Sequence, residues 1–211
     1  MKITWLGHSS FILEDSNNIK VLTDPFDDST GYKVFSGNVD AVTISHHHFD
    51  HDYTQKITCP NIIDKTGDFN FQNISIKGFP SYHDKVKGAK RGKNIIFIIE
   101  MDGYRLCHLG DLGYILSREE INNLKSIDVL FIPVGGNFTI DGKEAAEVAK
   151  LINPHIIIPM HYKTPDLSFE LDGLETFLKY IKSGKYIDKN YLNLSDDCKN
   201  QYKDVKILDY K

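Results

Sequence analysis

A layered α/β fold, with two β-sheets back to back and helices packed outside them, is what this sequence predicts. Two observations lead there. Short β-rich runs separated by turn residues fill the first half, and helical patterns are concentrated later. The size agrees: 211 residues, 41% hydrophobic and 26% charged, are ordinary globular usage and enough for a sizeable core in one domain, residues 1–211.

The elements follow in order. Residues 2–6, 11–14 and 19–23 are rich in β-formers, and Gly7-His8-Ser9-Ser10 and Asp15-Ser16-Asn17-Asn18 between them read as hairpin turns. Further strand-like runs lie at 41–45, 74–77, 95–101, 104–108, 129–134, 156–160 and 205–208, and Asp102-Gly103 is a strong hairpin signal. Ser117 and Glu120 have the spacing of a capping box that opens a helix to about Leu124. Asp141 caps a second helix running through Leu151, which Asn153-Pro154 ends. Leu171, Leu174, Phe177, Leu178 and Ile181 form the apolar stripe of a third, over 171–181, closed by Gly184. The polar segment 185–203 reads as a surface excursion.

Charge and cysteine usage narrow the function classes. A net charge of −4 argues against a general nucleic-acid coat, which needs a basic excess. Cys59, Cys107 and Cys198 are odd in number and form no CxxC pair, so reduced thiols in a cytoplasmic protein are expected. Thr4, Gly7 and His8 interrupt the apolar start, which therefore does not read as a signal peptide, and the apolar run 95–99 is too short to span a bilayer. The expected partner is a small-molecule substrate, not a membrane, with nucleic acid disfavoured and a homo-oligomer left open.

The chemistry begins where the run 41–45 ends. His46-His47-His48-Phe49-Asp50-His51 contains H-x-H-x-D-H. In extended chain, residues two apart face the same way, so His46 and His48 can hold one cation while the turn after Phe49 carries Asp50 and His51 toward another. Imidazole and carboxylate suit zinc, manganese or iron, and no thiolate set competes. His83, Asp111 and His161 follow later strand-like runs, the place where a rigid scaffold positions reactive groups. A carboxylate can bridge two cations, and Asp111 is the best candidate for that part.

These residues, in this order, resemble the metallo-β-lactamase superfamily. The opening Leu6-Gly7-His8-Ser9-Ser10-Phe11, with Thr23-Asp24-Pro25, Gly110-Asp111 and Pro159-Met160-His161-Tyr162, is similar to its small single-domain hydrolase branch, which includes an L-ascorbate-6-phosphate lactonase and an N-acyl-phosphatidylethanolamine phospholipase D. The resemblance implies a four-layer αββα sandwich with the site at one edge of the sheets. It implies that His46, His48 and His83 hold a first metal, and that Asp50, His51 and His161 hold a second, with Asp111 between them. It argues against lactam hydrolysis, since many true β-lactamases place cysteine or a non-bridging residue where Asp111 stands.

The chemistry implied is hydrolysis. Two divalent cations, zinc first and manganese or iron next, share a water and lower its pKa, and the hydroxide attacks an ester, lactone or phosphoester of a small substrate, anionic or neutral. Asp50 is the candidate catalytic residue, orienting the nucleophile and carrying a proton toward the leaving group. A phosphodiesterase or nuclease would use the same metals, and a non-catalytic metal-binding protein is the remaining class.

Other residues divide between site and scaffold. His8 is a candidate for supporting the metals or meeting substrate. Gly135-Gly136-Asn137-Phe138-Thr139 either lends backbone N–H groups to substrate, with Phe138 and Thr139 in contact, or is an ordinary tight turn. Lys85, Lys87, Lys90, Arg91 and Lys93 lie within nine residues free of acids, a solvated hairpin tip or an anion clamp, and Arg91 is the member assigned to substrate. His47, His108 and His155 are read as structural.

Overall fold

The computed structural model describes residues 1–195 and 204–210. In β1 (Lys2–Gly7) Ile3, Trp5 and Gly7 are buried and the residues between them are only half-buried, the period of two that a strand imposes. β2 (Ser10–Glu14) and β3 (Lys20–Thr23) continue antiparallel. β4 (Gly37–Asn38) and β5 (Ala41–Thr43) follow, then β6 (Ile57–Thr58) and β7 (Asn61–Ile63). β5 and β7 join β3 in parallel, while β4 and β6 form a separate ribbon.

The second sheet begins with four antiparallel strands: β8 (Gly67–Phe71), β9 (Ile74–Tyr82), β10 (Lys93–Met101) and β11 (Tyr104–His108). β12 (Val129–Pro133) and β13 (Ile156–Met160) add in parallel and are buried along their whole length, as strands covered on both faces must be. Helix α1 (Arg118–Leu124) leads into β12, and α2 (Gly142–Ile152) crosses from β12 to β13. After α3 (Glu175–Ile181), β14 (Lys185–Ile187) and β16 (Asp204–Leu208) extend this sheet, and β15 (Tyr191–Asn193) pairs with β1 in the first. The strand orders are β15-β1-β2-β3-β5-β7 and β14-β16-β13-β12-β11-β10-β9-β8.

The expected two-sheet sandwich is present. Ile3, Trp5, Phe11 and Leu13 meet Ile76, Phe97 and Phe131 across it, with the Phe11 and Phe131 rings 4.5 Å apart. Helix is concentrated on one side, where α2 buries Ala145, Ala146, Val148, Ala149 and Ile152. The opposite outer face, Leu22, Val39, Val42 and Ile44, is covered by Phe35, Ile57 and Cys59 from loop and ribbon.

Both capping boxes form, at Ser117 with Glu120 and at Asp141 with Glu144. Three expectations need correction. The third helix starts at Glu175 rather than 171, because the backbone of Asp172 is bonded to Gly135 and Lys163. The 74–77 run continues to Tyr82. The segment 185–203 is not merely a polar excursion: β14 and β15 each edge a sheet, and residues 196–203, with Cys198, lie outside the described residues. Among the described residues no helix is long and apolar enough to cross a membrane.

Candidate metal centre

Strand ends build one edge of the sandwich into a polar cluster. His8 follows β1, Asp24 follows β3, His46 to His51 follow β5, His83 follows β9, Asp111 follows β11 and His161 follows β13. All of the seven expected donor residues are brought together. His46, His48 and His83 form one group, His8, Asp50, His51 and His161 a second, and His46, His51 and Asp111 a third that links the two, with donor atoms in each group within 4.8 Å.

Asp111 is central. Its Oδ2 lies 3.1 Å from His161 Nε2, 3.2 Å from His83 Nε2 and 3.9 Å from His46 Nε2, and its Oδ1 lies 3.3 Å from His51 Nε2. Donors about 2.1 Å from a tetrahedral ion stand roughly 3.4 Å apart, so these spacings fit shared cations. Asn94 fixes the backbone of Asp111, its Oδ1 accepting from Asp111 N at 2.9 Å. Gly110, at φ +55°, permits this because any Cβ there would collide with Asn94 and Ser45.

A second carboxylate aims the histidines. Asp24 is wholly buried and accepts from His51 Nδ1 at 2.8 Å, from Ser45 N at 2.8 Å and from Ser45 Oγ at 2.6 Å. Ser45 Oγ accepts in turn from His46 Nδ1 at 3.0 Å. One carboxylate thereby sets the tautomer of a histidine in each group and turns both Nε2 atoms toward Asp111.

The electrostatics suit cations. Burial would raise the carboxyls of Asp111 and Asp50, but neighbouring histidines outweigh it and hold both well below the usual range: His161 and His51 beside Asp111, His51 and His8 beside Asp50. Burial, then His51, pushes His46 down to about 2, so its imidazole is neutral and able to ligate. Burial alone would lower His51 too, yet Asp111 and Asp50 raise it well above its ordinary value. A bound cation would displace that proton.

His8 joins the second group rather than standing apart. Its Nε2 donates to Asp50 Oδ2 at 3.1 Å, and its ring lies 4.3 Å from that of His161. Its carbonyl accepts from Trp5 Nε1 at 3.0 Å and His161 N at 3.2 Å, which holds the residue at φ +50°.

The remaining candidates fall differently. Arg91 stacks its guanidinium 4.7 Å from the centre of the exposed Phe138 ring and donates to Asn137 O. It also lines a cleft of about 750 Å³ beside His46 and His48, with Lys65, Lys93 and Tyr82. Thr139 is turned away: its hydroxyl donates to Ile140 O and its N–H to Gly136 O. The amides of Gly135 and Phe138 are likewise engaged, to His161 O and Gly136 O, as in a tight turn. The basic loop is not a uniform clamp, since Lys85 pairs with Glu144 on α2. His47 faces Asp52 and Asp64 at the surface. His108 donates Nε2–H to Ser9 O at 2.8 Å, and His155 lies 3.8 Å from Asp128.

Several contributors escaped the sequence reading. Asp24 had a legible signal, an acidic residue at a strand end before proline, but no spacing tied it to histidines distant in the chain. Ser45 and Asn94 carry no such signal. Phe169, whose ring stands 5.4 Å from that of His8, lies in a loop without periodicity.

The comparisons with known proteins agree with this geometry. A model described as "Beta-lactamase superfamily domain" matches residues 2–161, from β1 through His161. A protein of Archaeoglobus fulgidus named UPF0173 metal-dependent hydrolase is 31% identical over 87% of this chain and 91% of its own. A Thermotoga maritima crystal structure, of a candidate zinc-dependent hydrolase of the metallo-beta-lactamase superfamily, is 38% identical over 98% of this chain and 97% of its own, at a TM-score of 0.82. Human tRNase Z, short form, is 14% identical over 78% of this chain and 93% of its own at a TM-score of 0.57, and shares the fold alone. On a family match across most of its length, and on relatives that align over nearly all of it, this chain belongs to the beta-lactamase superfamily.

Proposed function

We propose that this chain is a metal-dependent hydrolase whose edge cluster holds two divalent cations, zinc ahead of manganese or iron, and which cleaves an ester, lactone or phosphoester bond of a small anionic substrate. One observation carries the reading. His46 Nε2, His51 Nε2 and Asp111 Oδ1 are buried and face one another without an aligned hydrogen bond; His51 Nε2 and Asp111 Oδ1 stand 3.3 Å apart, and His46 Nε2 is left without a partner. An unpaired buried polar atom costs about 1–3 kcal/mol, and a cation removes that cost. The nitrogen and oxygen donor set, without thiolate, suits the metals named.

His46, His48 and His83 would hold one cation, and Asp50, His51 and His161 the other, with Asp111 shared. Cations bound there would acidify a water and polarise the bond under attack. Asp24 keeps His46 and His51 in the ligating tautomer. His8 fixes one oxygen of Asp50 by hydrogen bond, so the carboxylate orients the attacking group and carries its proton toward the leaving oxygen. Burial of His8, Asp50, His51 and His161 excludes bulk water from the proton path. Arg91 and Lys93, on the cleft beside His48, favour an anionic substrate. The pairing of Lys85 with Glu144 and the net charge of −4 count against a long nucleic-acid groove.

The test is elemental analysis joined to a panel of esters, lactones and phosphoesters. Purified protein should carry up to two equivalents of transition metal, and a chelator should abolish hydrolysis until metal is restored. Protein that is metal-free, and that zinc, manganese and iron fail to stabilise or activate, would overturn the proposal.

A further inference from the structure

We infer that the substrate of this centre carries an apolar group, alkyl or aryl, that lies along an arc of phenylalanines at the mouth of the site; the inference rests on the hydrolase reading above. Phe49 stands in the chain between His48 and Asp50 and is 53% exposed. Its ring centroid is 6.3 Å from that of Phe169, and Phe169 is 6.3 Å from Phe138, itself 37% exposed. Phe169 also stands edge-on to His8, whose Nε2 bonds Asp50. At the far end the Arg91 guanidinium covers one face of Phe138.

Three rings from three separate loops therefore form a continuous apolar strip, in a place where the rest of the edge is histidine and carboxylate. Consecutive Cα atoms are about 3.8 Å apart, so Phe49 is within one residue of both a candidate ligand and the candidate proton carrier. A molecule whose reactive bond lies beside Asp50 has these rings within reach of the rest of its length. Water wets them poorly, and an apolar group laid on them gains roughly in proportion to the area covered.

A second copy of the chain is a weaker occupant for this strip. A fully exposed aromatic side chain offers about 150–250 Å². Three partly buried rings offer a small part of the roughly 800 Å² per partner that a stable dimer covers. The same area matches one short alkyl chain or one aryl ring.

The experiment is calorimetric binding of methylphosphonic and hexylphosphonic acid to metal-restored protein, in wild type, in Phe49→Ala, Phe169→Ala and their double variant, and in the Phe→Leu versions. Both acids present the same anion to the cations, so their ratio isolates the alkyl chain. The five extra methylenes are expected to tighten binding to wild type by about tenfold to a hundredfold on a half-open surface. The double alanine variant should bring that ratio below about threefold, with metal content unchanged, and the leucine versions should keep most of it. A wild-type ratio near one, or a ratio the double alanine variant leaves intact, would overturn the inference. So would a wild-type dimer in sedimentation that the double variant converts to monomer, since the strip would then belong to a partner copy. If neither acid binds and the hydrolysis panel is blank, the hydrolase reading itself fails and this inference falls with it. Hydrolysis with a flat alkyl ratio removes this inference alone.

Discussion

The two halves of the candidate metal centre are built by different means. His46, His48 and His83 stand on backbone of ordinary conformation, and His48 is exposed beside the cleft. His8 and His161, with Asp24 behind them, have φ of +50°, +51° and +40°, in the left-handed region that residues other than glycine rarely enter. Each such residue costs about 1–3 kcal/mol, held in place by its surroundings. His8, Asp24, His51 and His161 are essentially inaccessible to solvent. The contrast separates two tasks. The buried half is held in shape by its surroundings, and the open half, with exposed His48 on the cleft, has room to adjust.

Asp111 belongs to both halves, so its loss should have the largest effect. Asp111→Ala is expected to release metal from both and to abolish turnover, as read by metal stoichiometry and kcat. Retention of one full equivalent would show the halves to be independent. Asp50 belongs to the buried half alone. Asp50→Ala should keep most of its metal and lose about 10²–10⁴ in kcat, the range of one general acid–base contribution. Near-normal turnover would reduce Asp50 to a ligand.

Asp24 tests whether orientation from behind is what prepares the buried half. Asp24→Ala frees His51 Nδ1 and, through Ser45, His46 Nδ1, and should weaken metal affinity about 10–100-fold. A metal titration of the variant that matched wild type would remove this role. On the open half, Arg91→Ala should raise KM several-fold for anionic substrates, less so at high salt, with metal content unchanged. An equal change for neutral substrates would assign Arg91 to packing on Phe138.

The smallest effect concerns the loop that carries Arg91. Burial would push the Asp84 carboxyl up, but the N–H groups of Arg91, Lys90, Val86 and Gly88 pull it from 3.8 down to about 2. A depressed carboxylate contributes order that is complete above its ordinary value and is lost as pH falls through its folded value. Protection of those four amides from hydrogen exchange, taken relative to their intrinsic rates, should therefore hold down to pH of about 4 and be lost toward 2. In Asp84→Ala that protection should be absent at every pH.

Much of the site was legible because its candidate ligands cluster locally in His46 to His51, and the others end strands whose apolar runs are plain. What was hidden depends on contacts distant in sequence. Gly78 and Pro80 interrupt the apolar pattern of β9 and concealed its length. In the structure a Cβ at 78 would stand 2.8 Å from Lys65 O, so glycine is needed there. Pro80 lies beyond the end of β8, where β9 has a free side and a missing N–H costs little. The third helix was overextended because Leu171 continues the stripe, whereas the backbone of Asp172 is already engaged by Gly135 and Lys163. Asp24 and Asn94 act through histidines and an amide many residues away, and periodicity says nothing about such pairs.

The pairing of β1 with β15 sets the order in which the molecule can be completed. Lys2, Ile3 and Thr4 lie opposite Asn193, Leu192 and Tyr191, so β1 must wait for a strand made about 190 residues later. At about 5–20 residues per second, ribosomal synthesis leaves that flank of β1 open for roughly 10–40 s. An open strand flank is a template for any other extended chain. Loss of β15 would thus be felt first as aggregation during synthesis, at a strand far from the lesion in sequence, before any reactive group had changed.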